Sequence, residues 1–229
     1  VDFNIRNFGV VNIGGIEVWV TETLVNTWMI MAVLVAFAII VRVKIKKWTE
    51  VPEGKFQNTV EAIVETFDNF VKSSAGSKLS YLGPWFFTVF CFILLSNISG
   101  LVYGTRPPTA DWACTFAFAL ATFFLIQYAG LRYQGTKYLK SFIEPVVFFF
   151  PLNVIGELAR PISLSFRLFG NLLAGMLLMT MLYEMTPIFL KFLVPVPLHI
   201  YFDLVAGILQ TYVFCILSLS FIGAVAETE

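Results

Sequence analysis

The sequence predicts an all-α membrane protein: vertical transmembrane helices, a surface amphipathic helix and a long, strongly tilted C-terminal helix hairpin. Three observations predict it. Hydrophobic residues make up 58% of the 229-residue chain and charged residues only 13%, with a mean hydropathy of +0.81. A soluble domain is about a quarter charged and could not cover its surface with so few. Several uncharged runs reach the roughly 20 residues that a bilayer crossing needs. Five polar residues between 153 and 171 fall on one stripe of a helix.

The elements follow in chain order, as a single integral membrane domain over 1–229. The first 21 residues are polar and mixed. They lack the basic start, apolar middle and small-residue cleavage site of a signal peptide. The chain begins at valine, so an initiator segment is expected to have been removed or not included. The uncharged run from Thr23 to Val41, between Glu22 and Arg42, predicts a transmembrane helix over 22–46. Next, Phe56, Val60, Ile63, Val64, Phe67 and Val71 recur at helical spacing. Opposite them stand Lys55, Asn58, Glu61, Glu65, Asp68, Asn69 and Lys72. That pattern predicts an amphipathic surface helix over 55–73; a helix of a small soluble hairpin is the competing account.

Uncharged runs from Leu79 to Thr105 and from Trp112 to Leu131 predict a transmembrane hairpin, 79–103 and 110–131. Basic residues set the orientation. Arg42, Lys44, Lys46 and Lys47 follow the first span, and Arg132, Lys137 and Lys140 follow the third. Both clusters, 42–47 and 132–140, are expected on the cytoplasmic side. The loop from Val102 to Asp111 and the N-terminus are then outside.

From Pro145 the chain stays apolar yet holds Glu157, Arg160, Arg167, Glu184, Lys191 and Asp203, and Pro151, Pro161, Pro187, Pro195 and Pro197 punctuate it. Reading Val194 to Pro197 as a turn gives two membrane-embedded helices, 153–193 and 198–226. At about 1.5 Å per residue the first is too long for an upright crossing. It must be tilted, kinked near Pro161, or both.

At about 100° per residue, Asn153, Glu157, Arg160, Arg167 and Asn171 fall within a sector of about 80°, with Ser163 beside it. An arginine within hydrocarbon costs from about 2.5–3.5 to more than about 10 kcal/mol, and its pKa above about 12 forbids neutralisation. Arg167 is therefore the leading functional candidate, carrying a fixed positive charge; snorkelling or structural pairing is the alternative. Arg160, nearer the helix start, could instead reach headgroups. In the last helix Asp203 and Gln210 are read as sharing a face, with His199 four residues before Asp203. From Phe192 to Ala226, Asp203 is the only Asp, Glu, Lys or Arg. A lone carboxylate in apolar surroundings could trade protons; the alternative is a helix cap after Pro195 and Pro197.

Cys91, Cys114 and Cys215 lie in apolar runs without metal-ligand spacing and read as small buried hydrophobes. No metal or cofactor is expected. The net charge is zero, which gives no reason to expect a nucleic-acid partner. A single histidine and the lack of a nucleophile elbow argue against an intramembrane enzyme. A secondary transporter with its own mid-membrane site remains the rival account, and it would want an internal repeat; none is visible between the halves.

The run from Pro151 to Gly175, PLNVIGELARPISLSFRLFGNLLAG, with SLSFRLFGN at Ser163 to Asn171, resembles the signature segment of subunit a of the bacterial F-type ATP synthase. TETLVNTW, RPPTAD and the last helix with Gln210 agree in order, so the resemblance covers essentially the whole chain. It implies a non-catalytic, ion-translocating stator subunit in the bacterial plasma membrane. Its implied partners are the rotor ring of c subunits, peripheral-stalk b subunits, the lipid bilayer and the carried proton or sodium ion. It implies that Arg167 is the essential arginine facing the ring carboxylates between two offset half-channels. Asn171 and Gln210 would line the path, and Asp203 would hold a position usually His or carboxylate. Met176 departs from the pattern, because many relatives titrate nine residues after the arginine. Asp203, helped by His199, becomes the expected outer relay; Glu157 is expected to serve the cytoplasmic half-channel, and Ser163, beside the stripe, is expected on the ion pathway. No GxxxxGK[ST] run is present to cradle a nucleotide.

Overall fold

The computed structural model describes residues 7–13, 16–46, 48, 54–100, 106–142, 147–185, 187 and 195–227. The chain opens on an antiparallel hairpin absent from the expectations above: β1 (Asn7–Ile13) pairs with β2 (Ile16–Thr21), Val10 opposite Trp19 and Ile13 opposite Ile16. The first long helix, α1 (Glu22–Ile45), follows directly, capped by Thr21, whose Oγ1 accepts from the Leu24 N–H. Glu22 in its first turn and Arg42 and Lys44 in its last suit the helix dipole. Lys47 lies outside the described residues.

The amphipathic segment forms α2 (Lys55–Ala75), and a backbone turn at Gly76, φ 83°, ends it. A 3-10 stretch, Ser77–Leu82, leads into α3 (Gly83–Ser99). The expected end of this span at 101–103 lies outside the described residues. A short turn, Pro108–Ala110, precedes α4 (Trp112–Tyr133), which Asp111 caps by accepting from the Ala113 N–H at 3.0 Å. Then come the short α5 (Thr136–Ser141) and α6 (Phe150–Met185), a helix of 36 residues with Pro161 inside it. The expected continuation of α6 through 186 and 188–193 lies outside the described residues. At about 1.5 Å per residue α6 is far longer than a hydrocarbon layer of about 30 Å. It must cross on a slant or run out past the lipid tails.

Where a turn was expected at 194–197, Pro195 and Pro197 sit in a helical turn, α7 (Pro195–His199); Val194 lies outside the described residues. Proline fits a first helical turn because its missing N–H would have had no partner there. A π-helical turn, Ile200–Val205, then joins α8 (Ala206–Glu227). Among the described residues, five helical stretches are long and apolar enough to cross a membrane, so this is a multi-pass helical membrane protein.

The core forms around α8. Phe214, Cys215, Leu219 and Ile222 are buried with Phe86 and Ile93 of α3, Ala119 and Ile126 of α4, Leu164 and Leu168 of α6, and Val71 and Ala75 of α2. Gly223 permits a close approach of backbone to backbone: a Cβ there would lie 2.9 Å from the Ala75 Cα. By contrast α1 is almost wholly exposed, with only Thr23 and Ile30 buried. Its first turns are tied to the α3–α4 connection. Thr23 Oγ1 donates to Asp111 at 3.3 Å, and Asn26 Nδ2 donates to the Arg106 carbonyl at 2.8 Å.

Candidate functional site

The polar stripe expected on the long helix is carried by α6, and three of its members, Arg160, Arg167 and Asn171, divide between two spaces along the α6–α8 seam. The first is a cavity of about 230 Å³ lined by Gly156, Ala159, Arg160, Ser163, Leu164 and Arg167 of α6 with Leu217 and Phe221 of α8. Arg167 and Ser163 are exposed, on the side of α6 away from the buried Leu164, Ser165 and Leu168. The apolar heptad-like set of α6 faces α4 and α8, and this turns the cation outward. Among the described residues no carboxylate of the chain pairs with Arg167.

At the far end of this cavity Arg160 is held by Glu157, Nη1 to Oε1 2.8 Å, and its guanidinium lies 5.4 Å from the Phe221 ring centroid. The other Glu157 oxygen, Oε2, is buried with no hydrogen-bond partner. Behind it, Tyr138 of α5 packs so close to α4 that a Cβ on Gly130 would lie 2.8 Å from its ring. Its hydroxyl donates to Gln127 Oε1 at 3.2 Å. Burial pushes the Tyr138 phenol above its ordinary pKa, and the Glu157 carboxylate adds to the rise. Asn153 turns aside from the stripe, its Nδ2 donating to the Phe142 carbonyl at 3.0 Å.

The second space is a void of about 10 Å³, close to the volume that one water needs, lined by Asn97, Leu168, Asn171, Leu172, Phe202, Gly207 and Gln210. It brings Asn171 and Gln210 together from α6 and α8. Asn171 also reaches the exposed face. The Gln210 Nε2 is buried with no hydrogen-bond partner.

Asp203 lies in the π-helical turn; its side chain is outside what the structure describes. The turn bears on one expectation: the shared face of Asp203 and Gln210 is read on continuous α geometry, whereas residues 200–205 are π-helical. His199 is half-buried at the end of α7, 5.8 Å from the Tyr183 ring between centroids. It joins neither lining. Met176 is half-buried beside Gly175, where a Cβ would lie 3.5 Å from Phe202.

The sequence reading missed the residues that fix the second space. Asn97 of α3 donates to the Gly207 carbonyl at 3.0 Å and to Thr211 Oγ1 at 3.2 Å, and accepts from Thr109 Oγ1 at 2.8 Å. A lone asparagine inside the second apolar run was the available signal. Thr115 of α4 and Ser165 of α6 also meet, their hydroxyls 3.3 Å apart and fully buried.

These features define a class: a multi-pass helical membrane protein with a fixed cation on the outer face of one long helix and polar spaces on either side of it. Residues 24–223 match the family described as ATP synthase A chain, and the chain belongs to that family. It is 36% identical to ATP synthase subunit a of Moorella thermoacetica, over 96% of this chain and 96% of that protein. It is 34% identical to the sodium ion specific ATP synthase subunit a of Propionigenium modestum, over 92% of this chain and 76% of that protein. A second subunit a of Acaryochloris marina is 32% identical, over 90% of this chain and 86% of that protein.

Proposed function

We propose that this chain is the ion-translocating stator subunit of a rotary F-type ATP synthase, and that Arg167 is the fixed charge past which the rotor moves. The observation that carries this is the placement of Arg167: exposed on α6, in the wall of a cavity, with no carboxylate of the described chain paired to it. A cation so placed awaits an anion from a neighbouring subunit. The rotor ring of c subunits would supply it, with the peripheral-stalk b subunits holding the stator.

The physics of the step is simple. A ring carboxylate must be neutral while it faces lipid, because burying an anion there is prohibitive. Beside Arg167 the ionised form is favoured, since an opposite charge lowers a carboxyl pKa by about 1–3 units. The site therefore releases its ion on one side of the arginine and takes one up on the other. The cavity from Glu157 and Arg160 to Arg167, with Ser163 in its wall, is the access path on one side. The void at Asn171 and Gln210 belongs to the other, for which Asp203 and His199 are the proposed relay residues. Arg167 also repels cations and blocks a straight leak.

The orientation has support from packing. Thr23 and Asp111 meet at 3.3 Å, so α1 and α4 start at one level and run in the same direction. Their basic ends, Arg42 to Lys46 and Arg132 to Lys140, then share one side, the cytoplasmic one by the positive-inside rule. The N-terminus is outside, and the membrane is the bacterial plasma membrane.

Arg167→Ala tests the proposal. ATP-driven ion pumping in inverted vesicles is expected to vanish while the complex stays assembled; a normal rate would refute it. The ion is a proton on this proposal. Sodium is the alternative, favoured by the sodium-specific relative; ATP hydrolysis by the complex with sodium added or removed distinguishes them.

A further inference from the structure

Building on that stator role, we infer that Asn97 of α3 is a positioning residue for ion transfer: it clamps the start of α8 and so holds the π turn that sets Asp203 relative to Gln210. Asn97 is 2% exposed, and Thr109 and Thr211 are fully buried. A carboxamide buried in a membrane bundle is destabilising unless it is bonded. This one is bonded three times, to separate parts of the fold: the Pro108–Ala110 turn through Thr109, the Gly207 carbonyl at the start of α8, and Thr211 one turn on. Thr211 Oγ1 also donates to the Gly207 carbonyl at 2.8 Å. Gly207 is small for a reason: a Cβ there would lie 3.0 Å from the Asn97 Cβ.

The clamp sits two residues past the end of the π turn, Ile200–Val205. A π turn is uncommon and occurs mostly as a single turn within an α-helix. If it closed to α geometry, one residue would leave the wide turn. The preceding segment would then rotate by about 100° and shift by about 1.5 Å relative to α8. Asp203 lies within the π turn itself and would move with part of that rotation, whereas Gln210 lies in α8 between the clamped Gly207 and Thr211. Asn97 and Gly207 also wall the void that Asn171 and Gln210 share, and Gln210 Nε2, in a residue 8% exposed, has no partner there. Holding the Gly207 carbonyl thus fixes both the relay segment and the void.

The test uses the assembled complex. Asn97→Leu is expected to lower ATP-driven pumping in inverted vesicles by about tenfold or more, as expected for lost hydrogen bonds around a charge-transfer path. In the purified complex, backbone amides of residues 200–207 are expected to exchange with deuterated water about tenfold faster. Thr109→Val, which is nearly isosteric, removes one of the three bonds and is expected to give a smaller loss of the same two kinds. It serves as the test variant if Asn97→Leu fails to assemble. The double variant is expected to be no worse than Asn97→Leu, because both changes act on one clamp. Wild-type pumping by Asn97→Leu, or a fall in pumping with unchanged exchange at 200–207, would overturn the inference; additive losses in the double variant would also count against it. Arg167→Ala runs in parallel. If it pumps, the stator role itself fails; if it is dead while Asn97→Leu pumps normally, only the Asn97 inference fails.

Discussion

The Glu157 carboxylate and the Arg160 guanidinium meet across one turn of α6, 2.8 Å apart, at the end of the cavity whose other end is Arg167. Only one carboxylate oxygen is used, and Arg160 leans on Phe221 as well. Glu157→Gln keeps the size and removes the charge, leaving the cavity with two uncompensated cations that repel an entering one. ATP-driven pumping is expected to slow about fivefold, the rate equivalent of ~1 kcal/mol for a partly solvent-facing pair. Adding Arg160→Gln is expected to restore part of that rate. An unchanged initial pumping rate in Glu157→Gln vesicles would argue that this end of the cavity lies off the ion's route.

Gln210 separates activity from stability. Its Nε2 makes no hydrogen bond among the described residues, so Gln210→Leu removes a buried unsatisfied group and is expected to leave the complex as heat-stable as before. Pumping is expected to fall about tenfold or more, since a hydrogen bond to a charged group contributes ~1.5–3 kcal/mol. Thermal dissociation of the solubilised complex, set beside vesicle pumping, checks both halves. A matched loss of stability would point to a packing role instead.

The Thr115 and Ser165 hydroxyls join α4 to α6, directly behind the exposed face that bears Arg167. Thr115→Val leaves the buried Ser165 hydroxyl without its Thr115 partner and is expected to cost ~1–3 kcal/mol; Ser165→Ala is expected to cost less, because Thr115 Oγ1 still donates to the Trp112 carbonyl at 3.0 Å. The double variant is expected to cost less than the sum. A double-variant cycle on heat dissociation measures the coupling, and strict additivity would rule the contact out as a joint.

Gly223→Val tests the α2–α8 contact. The new Cβ would lie 2.9 Å from the Ala75 backbone, and backbone cannot swing aside as a side chain can. Overpacking of this kind costs ~1–3 kcal/mol, read as a lower dissociation temperature. The cavity lined by Arg160 and Arg167 lies elsewhere on α8, so pumping by the surviving complex is expected to stay near wild type.

Several parts of this architecture were legible in the residues. Hydropathy alone outlines α1, α3 and α4, because lipid as solvent imposes length and composition together. The α6 stripe was visible because a cation in hydrocarbon stands out against Leu, Ile and Phe. The β1–β2 hairpin was missed, although two runs rich in β-branched residues flank Gly14 and Gly15; the surrounding polar character masked it. The π turn has no signature of its own. It stands beside Asn97 bonding to Gly207, a contact between positions far apart in the chain that no periodicity reveals. For the same reason Asn97 itself was passed over as one polar residue in an apolar run.

Nearly every face of α1 is apolar and open; its hydrogen-bonded ties to the bundle among the described residues sit near one end, at Thr23 and Asn26, with Ile30 tucked in below, and near the other end Lys44 rests over the Phe56 ring of α2. Trp28, Val33, Phe37 and Ile40 are each about half exposed, so one greasy side chain serves there as well as another. Natural selection would then police this segment for oiliness and length rather than for spelling. Over evolutionary time its letters should drift quickly, with positions 23, 26 and 30 as the slow ones.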